Sequence, residues 1–333
     1  MRKTFIIAEI GVNHNGSLRL AKKLVEAAAA AGADAVKFQT FKAEELATKN
    51  APSASYQRAG SQYEMLKALE LSEPQLRELF KYCKRKKVGF LSTPFDLKSA
   101  EFLARLGVRA FKVSSGDLTN LPLLRALARY SKPLILSTGM ATLAEVKAAV
   151  AAIRSAGNQK ITLLHCVSSY PARSEEVNLR AMDTLKQAFS LPAGYSDHTL
   201  GIEVAIAATA RGAEIIEKHL TLDRGLSGPD HRTSAEPDEF RALVRAIRKV
   251  ESALGDGKKV PQKSEREIMR VARKSIVARE NIIKGEKIKG SMLAIKRPGT
   301  GIRPRYFNKL IGQVARRNIR QDQILNCGDI IWR

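Results

Sequence analysis

Cysteine is scarce in this 333-residue chain. Cys83, Cys166 and Cys327 are its only three, far apart and without metal-type spacing. An odd, scattered set offers no disulfide framework, and a reduced, cytoplasmic setting fits best. No run of about 18 apolar residues occurs, which excludes a membrane-spanning helix. The start, MRKTFIIAEIGVNHNG, has charge and a short apolar run. That run breaks at Glu9 and no small-residue cleavage site follows, so it reads as a strand rather than a signal peptide. Acidic residues are few, 33 against 57 Lys and Arg, giving a net charge of +24. Such a balance points to nucleic acid, an anionic surface or anionic substrates. Aromatics are also few, at 6%, and no basic stretch is interleaved with them. A stacking groove for single strands needs that interleaving, so nucleic acid is expected only as a weak, nonspecific partner. Residues 256–333 hold 20 Lys and Arg against 7 Asp and Glu, a net of +13, and the first 255 carry the other +11. No GxGxxG follows the first strand-like run, which weighs against a doubly wound dinucleotide fold.

What is present is a regular alternation. Apolar strand patterns occur at FIIAEIGVN (5–13), AVKFQT (35–40), VGFLSTPF (88–95), RAFKVSSGD (109–117), PLILSTGM (133–140), ITLLHCVSS (161–169), AGYSDHT (193–199) and EIIEKHLTL (214–222). A helical pattern follows each. In the last, Phe240, Leu243, Val244, Ile247, Val250 and Leu254 form one stripe. Gly32, Gly107, Gly157 and Gly212 stand where helices should close. Eight such units in about 250 residues predict a (β/α)₈ TIM barrel, and the remainder a second, small module. The 42–71 insertion after the second strand is long for such a connection and reads as a lid or binding loop.

Active-site groups of a barrel sit at the carboxyl ends of its strands. Every strand pattern here turns polar at that end. The ring includes Glu9, Lys37, Gln39, Thr93, Lys112, Ser115, Asp117, Ser137, Ser196, His198, Glu217 and His219. Two lysines and several hydroxyls facing inward make a phosphate- or carboxylate-binding cup. Two histidines on neighbouring strands with carboxylates nearby suit a divalent metal with open positions. Strand alternation puts Glu217 and His219 on one face. Lys218 then faces the helices and needs a carboxylate partner, which argues against a Schiff-base role for it.

The residues IAEIGVNHNGS, AVKFQTF, STPFD, FKVSSGD, LSTGMAT, LHCVSSYPA, GYSDHTLG, EKHLTLDR, SGPDH and KRPGTGI lie in order from residue 7 to residue 302. On these ten motifs the chain resembles the sialic acid synthase family, which includes N-acetylneuraminate, legionaminate and pseudaminate synthases. The resemblance implies a barrel over 1–255, a polar linker over 256–272 and an antifreeze-like domain over 273–333 that caps the barrel of the other subunit in a homodimer. It implies condensation of phosphoenolpyruvate with an N-acylated amino sugar, phosphate leaving by C–O cleavage. It implies Mn²⁺ or Mg²⁺ on His198 and His219. Lys37, Thr93, Lys112, Ser115, Ser137 and Ser196 match phosphoenolpyruvate-binding positions. Glu9, Gln39, Tyr170 and Asp230 match the sugar side, Glu9 as a group that protonates or orients reacting atoms, and Arg297 would reach the partner's sugar.

The chain departs from the family pattern in places. Asp117 stands where glutamate is frequent, and CVSSYPAR stands where neuraminate and legionaminate synthases often show TEYP-like or NIYP-like forms. GPDH leans away from pseudaminate synthase. The expectation is an N-acetylneuraminate synthase using N-acetylmannosamine. The alternative is legionaminate (or pseudaminate) synthase acting on a 6-deoxy di-N-acetyl hexose.

Overall fold

The computed structural model describes residues 3–52 and 61–332. The chain divides into two compact units, Met1–Asp256 and Gly257–Arg333. The first unit is built on eight parallel strands: β1 (Phe5–Gly11), β2 (Ala35–Thr40), β3 (Gly89–Pro94), β4 (Phe111–Val113), β5 (Leu134–Ser137), β6 (Ile161–His165), β7 (Ala193–Asp197) and β8 (Ile215–His219). Their hydrogen-bonded order is β3-β2-β1-β8-β7-β6-β5-β4. β3 and β4, the ends of that order, lie against each other, so the sheet is a nearly closed TIM-like barrel. Helices cover its outside, and between them and the strands lies the main apolar core.

The barrel's inside is layered. Ile7, Ala35, Leu91, Ile135, Leu164 and Ile215 form an apolar floor, with Ala110 against it. At β7 the floor position is Gly194, where a Cβ would meet Ile215 O at 2.3 Å. A strand's next inward residue is two further on. The layer above the floor is therefore Glu9, Lys37, Thr93, Lys112, Ser137, Cys166, Ser196 and Glu217. Strand register matches this layer at two seams, where Glu9 pairs with Lys37 and Ser196 with Glu217, and steps by two at two others, where Glu9 pairs with His219 and Lys37 with Leu91.

The strands end earlier than the apolar patterns do, because polar side chains bend the chain at their ends. Asp197 accepts hydrogen bonds from Thr199 N and Oγ1, closing β7 just before His198. Ser114 Oγ accepts from Asp117 N and turns the chain into a 3₁₀ segment, Ser115–Asp117, which leaves β4 three residues long. The four helix-closing glycines have φ between +80° and +91°, the left-handed conformation such positions require. Helix Pro237–Leu254 buries Phe240, Leu243, Val244 and Ile247 of its stripe, while Leu254 at its end is exposed.

The second unit pairs β9 (Ser275–Ala278) with β10 (Leu293–Lys296) and β11 (Val314–Ala315) with β12 (Ile330–Ile331), both antiparallel. Ile276, Ile282, Leu293, Leu310 and Ile330 are among its core. Residues 256–272, polar enough to read as linker, include a helix, Glu265–Ala272. No helix among the described residues is long and apolar enough to cross a membrane.

Candidate active site

The barrel mouth holds a cavity of about 520 Å³. Its base is an ion network. Lys37 Nζ lies 2.8 Å from Glu9 Oε1 and 3.9 Å from Glu217 Oε2, and Lys112 Nζ lies 3.1 Å from Glu217 Oε1. Ser196 Oγ donates to Glu217 Oε1 at 2.8 Å, Lys37 Nζ donates to Thr93 Oγ1 at 3.2 Å, and Gln39 Nε2 donates to Glu9 Oε1 at 3.4 Å. All four charged groups are buried.

The network drives its two carboxyls apart. Burial would raise Glu217, but Lys112, Lys37 and the Ser196 hydroxyl outweigh it and hold it at about 2. Burial pushes Glu9 up, Lys37 only partly offsets this, and the charge of Glu217 adds to the rise, to about 7. Burial acts against the Lys37 ammonium, yet Glu217 and Glu9 raise its pKa above the usual value. Lys112 goes the other way, since burial outweighs Glu217. Below pH 7 the cup therefore sets two lysines against one ionised carboxylate and has room for an anion. Glu9 Oε2 and Glu217 Oε2 are buried without a hydrogen-bond partner. Buried acceptors of that kind call for a donor from a ligand or water.

Above this layer stand the histidines. The rings of His198 and His219 are 5.5 Å apart, and Tyr170 sits beside both, at 4.3 and 5.7 Å. His198 Nδ1 is 2.6 Å from Val167 O, so it carries the hydrogen, and Nε2 is left to accept from the Tyr170 hydroxyl at 3.2 Å. Burial lowers His198, and burial together with His198 lowers His219 well below the usual imidazole value. Neutral imidazole is the form that binds metals. His219 Nδ1 is buried without a partner, 3.9 Å from Asp230 Oδ2. Burial raises Asp230 to about 6. Among the described residues no group of three or more His, Cys, Asp or Glu is placed to hold a metal. Two neutral imidazoles, one with an unsatisfied nitrogen, fit an ion that keeps its other positions for water and substrate.

Lys218 faces away from this cavity. Its Nζ lies 2.7 Å from Asp197 Oδ2 and 2.8 Å from Thr199 O, all buried. The carboxylate its position demands is Asp197, one strand over.

Glu9, Lys37, Gln39, Thr93, Lys112, Ser115, Ser137, Tyr170, Ser196, His198, Glu217, His219 and Asp230 all line the cavity. Asp117 does not. The 3₁₀ turn directs its carboxylate to Ser114 Oγ, 2.6 Å away. Arg297 lies in the second unit, where its Nε donates to Ala272 O at 3.1 Å. The apolar wall escaped residue-by-residue reading. Leu46, Met65, Leu66 and Leu69, from the 42–71 insertion, line the cavity with Val12 and Phe95. The insertion's length was its signal in the sequence, and part of it folds as the helix Gln62–Leu69.

Fold and site together define a (β/α)₈ barrel whose mouth gathers buried lysines, carboxyls and imidazoles, followed by a small β module. The chain belongs to the NeuB family, matching its model over residues 24–259, and matches the SAF domain over 273–330. It is thus a sialic acid synthase-family enzyme, a carbohydrate-acid synthase. It is 48% identical to an N,N'-diacetyllegionaminic acid synthase of Campylobacter jejuni, over 98% of this chain and 99% of that one. It is 47% identical to one of Legionella pneumophila, over 95% and 91%. Among solved structures, an N-acetylneuraminic acid synthetase of Leptospira borgpetersenii in complex with citrate superposes with a TM-score of 0.72 at 40% identity, covering 80% of this chain and 90% of that one.

Proposed function

We propose that this enzyme condenses phosphoenolpyruvate with the aldehyde of a 6-deoxy di-N-acetyl hexose, as a legionaminate synthase would. The observation that carries the reading is its greater identity to two N,N'-diacetyllegionaminic acid synthases than to the N-acetylneuraminic acid synthetase. The expected N-acetylneuraminate synthase gives way to its alternative. The apolar wall supports the same reading. Leu46, Met65, Leu66 and Leu69 suit a methyl group where N-acetylmannosamine carries a hydroxymethyl.

In this reading Lys37, Lys112, Thr93, Ser115, Ser137 and Ser196 hold the phosphate and carboxylate of phosphoenolpyruvate. Its C3 bonds to the aldehyde carbon, water oxygen adds at C2, and phosphate leaves with the C2–O bond pair. C2 becomes the ketone, one proton of the water departing with the phosphate and the other restoring Glu9. The aldehyde oxygen takes up a proton, and Glu9, protonated below pH 7, is the acid placed to give it. Tyr170, Gln39 and Asp230 orient the sugar. His198 and His219 would hold Mn²⁺ or Mg²⁺, which when bound supplies a Lewis acid for the aldehyde. From the family resemblance we also propose a homodimer in which the C-terminal module of one chain brings Arg297 to the sugar bound by the other.

The test is phosphate release from phosphoenolpyruvate with matched acceptors. A hydrophobic pocket separates such analogues by roughly 10–200-fold. A 6-deoxy di-N-acetyl hexose should exceed N-acetylmannosamine in kcat/KM by at least about tenfold. Equal or reversed values would overturn the assignment.

A further inference from the structure

Two polar motifs, VNHNG (12–16) and SGPDH (227–231), lie over two hundred residues apart, and of their residues only Asp230 enters the scheme above. The fold brings them together. His231 is fully buried. Its Nδ1 is 2.7 Å from Thr221 Oγ1 and its Nε2 is 3.2 Å from Asn15 Oδ1. The Asn15 amide also donates from Nδ2 to Ser227 O at 2.7 Å, which fixes its orientation, so His231 Nε2 is the donor to Oδ1. Asn15 has φ 49°, a left-handed conformation that asparagine tolerates better than most residues. Asn13 Nδ2 reaches the same loop, at Leu220 O and Ser234 Oγ. Ser234 Oγ in turn donates to Asp230 O at 2.6 Å. Gly228 leaves no spare room, since a Cβ there would meet His231 Cδ2 at 2.6 Å and Asn15 Oδ1 at 2.7 Å.

Two residues of this loop, Pro229 and Asp230, line the cavity, and Asp230 is the one whose charge stands beside His219. The geometry points to His231 and Asn15 as positioning residues that latch the 227–234 loop to the turn after β1 and so hold Asp230 at the cavity. With the proposed function, Asp230 belongs to the sugar side, and the latch then controls acceptor binding rather than phosphoenolpyruvate binding. A carboxylate displaced by about 1 Å can cost on the order of a hundredfold in rate. The side chains that hold it therefore count although they touch no substrate.

The experiment is a double-mutant cycle in the full-length, metal-loaded enzyme. His231→Ala should lower kcat/KM for the acceptor by about tenfold or more while KM for phosphoenolpyruvate stays within about twofold. In an Asp230→Ala background the same change should cost less than about twofold further, because the residue it acts through is gone. Asn15→Ala should behave alike, and His231→Gln, able to donate and accept at the same sites, should recover part of the loss. Parallel losses for both substrates, or multiplicative losses in the cycle, would overturn the positioning role. Hydrogen exchange of the metal-free protein separates this from the choice of substrate. His231→Ala should speed exchange in 227–236 and leave β2 and β3 unchanged. If wild type turns over no acceptor, the proposed function fails while exchange still reads the latch. Unchanged exchange sinks the latch whatever the acceptor.

Discussion

At the residue scale the site is a contest between burial and charge, and Lys112 and Glu9 expose its two sides. Lys112 offers a charge-assisted hydrogen bond, worth roughly 1.5–3 kcal/mol. Lys112→Met should therefore lower kcat/KM for phosphoenolpyruvate by about tenfold or more, read as phosphate release against its concentration. An unchanged dependence would remove Lys112 from the cup. Glu9 gives a pH prediction. Its carboxyl rises from 4.5 to about 7, so between those values the folded state binds the proton that the unfolded state releases. Stability from this group is complete below about pH 4.5 and is lost as pH rises through about 7. Glu217 has the opposite sign. Held at about 2, it contributes above its unfolded value and loses that contribution as pH falls toward 2. Glu9→Gln should flatten the fall in unfolding free energy between pH 5 and 8 and remove the ionisation near 7 from the rate profile. A variant that keeps both would show that another group titrates there. Alternation by two made the facing of Glu217, His219 and Lys218 legible from EIIEKHLTL alone. Asp117 enters the ring only as a polar strand-end residue, and the 3₁₀ turn capped by Ser114 takes its carboxylate out of it.

Among elements, β8 ends in His219 and β7 ends just before His198, and the pair Lys218–Asp197 ties the two strands together behind them. Removing one partner of a buried pair typically costs about 3–5 kcal/mol. Lys218→Met should lose stability on that order in denaturant unfolding, and a loss under about 1 kcal/mol would mean that the pair is not a strut. Lys218 should also escape borohydride trapping with substrate, because it faces the helices. A trapped adduct at Lys218 would restore the Schiff-base reading. The eight units were legible because each strand is apolar on both faces until its polar end. Their ends were not, since Asp197 and Ser114 close strands through side-chain bonds that period alone does not mark. The apolar wall was hidden for another reason. Leu66 and Leu69 pack with Val12 and Phe41, partners from distant segments, so only the insertion's length hinted at a role.

For the whole molecule, the excess of +24 and the second unit remain to be tested together. Nucleic acid should bind weakly and without sequence preference, with affinity falling steeply as salt rises. A tight complex at physiological salt that favours one sequence would show a second activity. The second unit carries the family's KRPGTGI turn, with Arg297 exposed and its fork of donors suited to a carbonyl or carboxylate. If the proposed dimer holds, deleting residues 273–333 should leave a folded barrel that still binds phosphoenolpyruvate but scarcely turns over. Complementation is sharper. Arg297→Ala chains have intact barrels and His219→Ala chains have intact modules, and each alone should be nearly inactive. In a mixed dimer one barrel with its histidines meets one module with its arginine, so one competent site of two should return. Activity should then rise with the measured fraction of mixed dimers, to about half of wild type per mixed dimer, since each site works independently. If mixed dimers form and activity stays at the parental level, Arg297 serves its own chain or no site at all, and the exchange of modules is wrong.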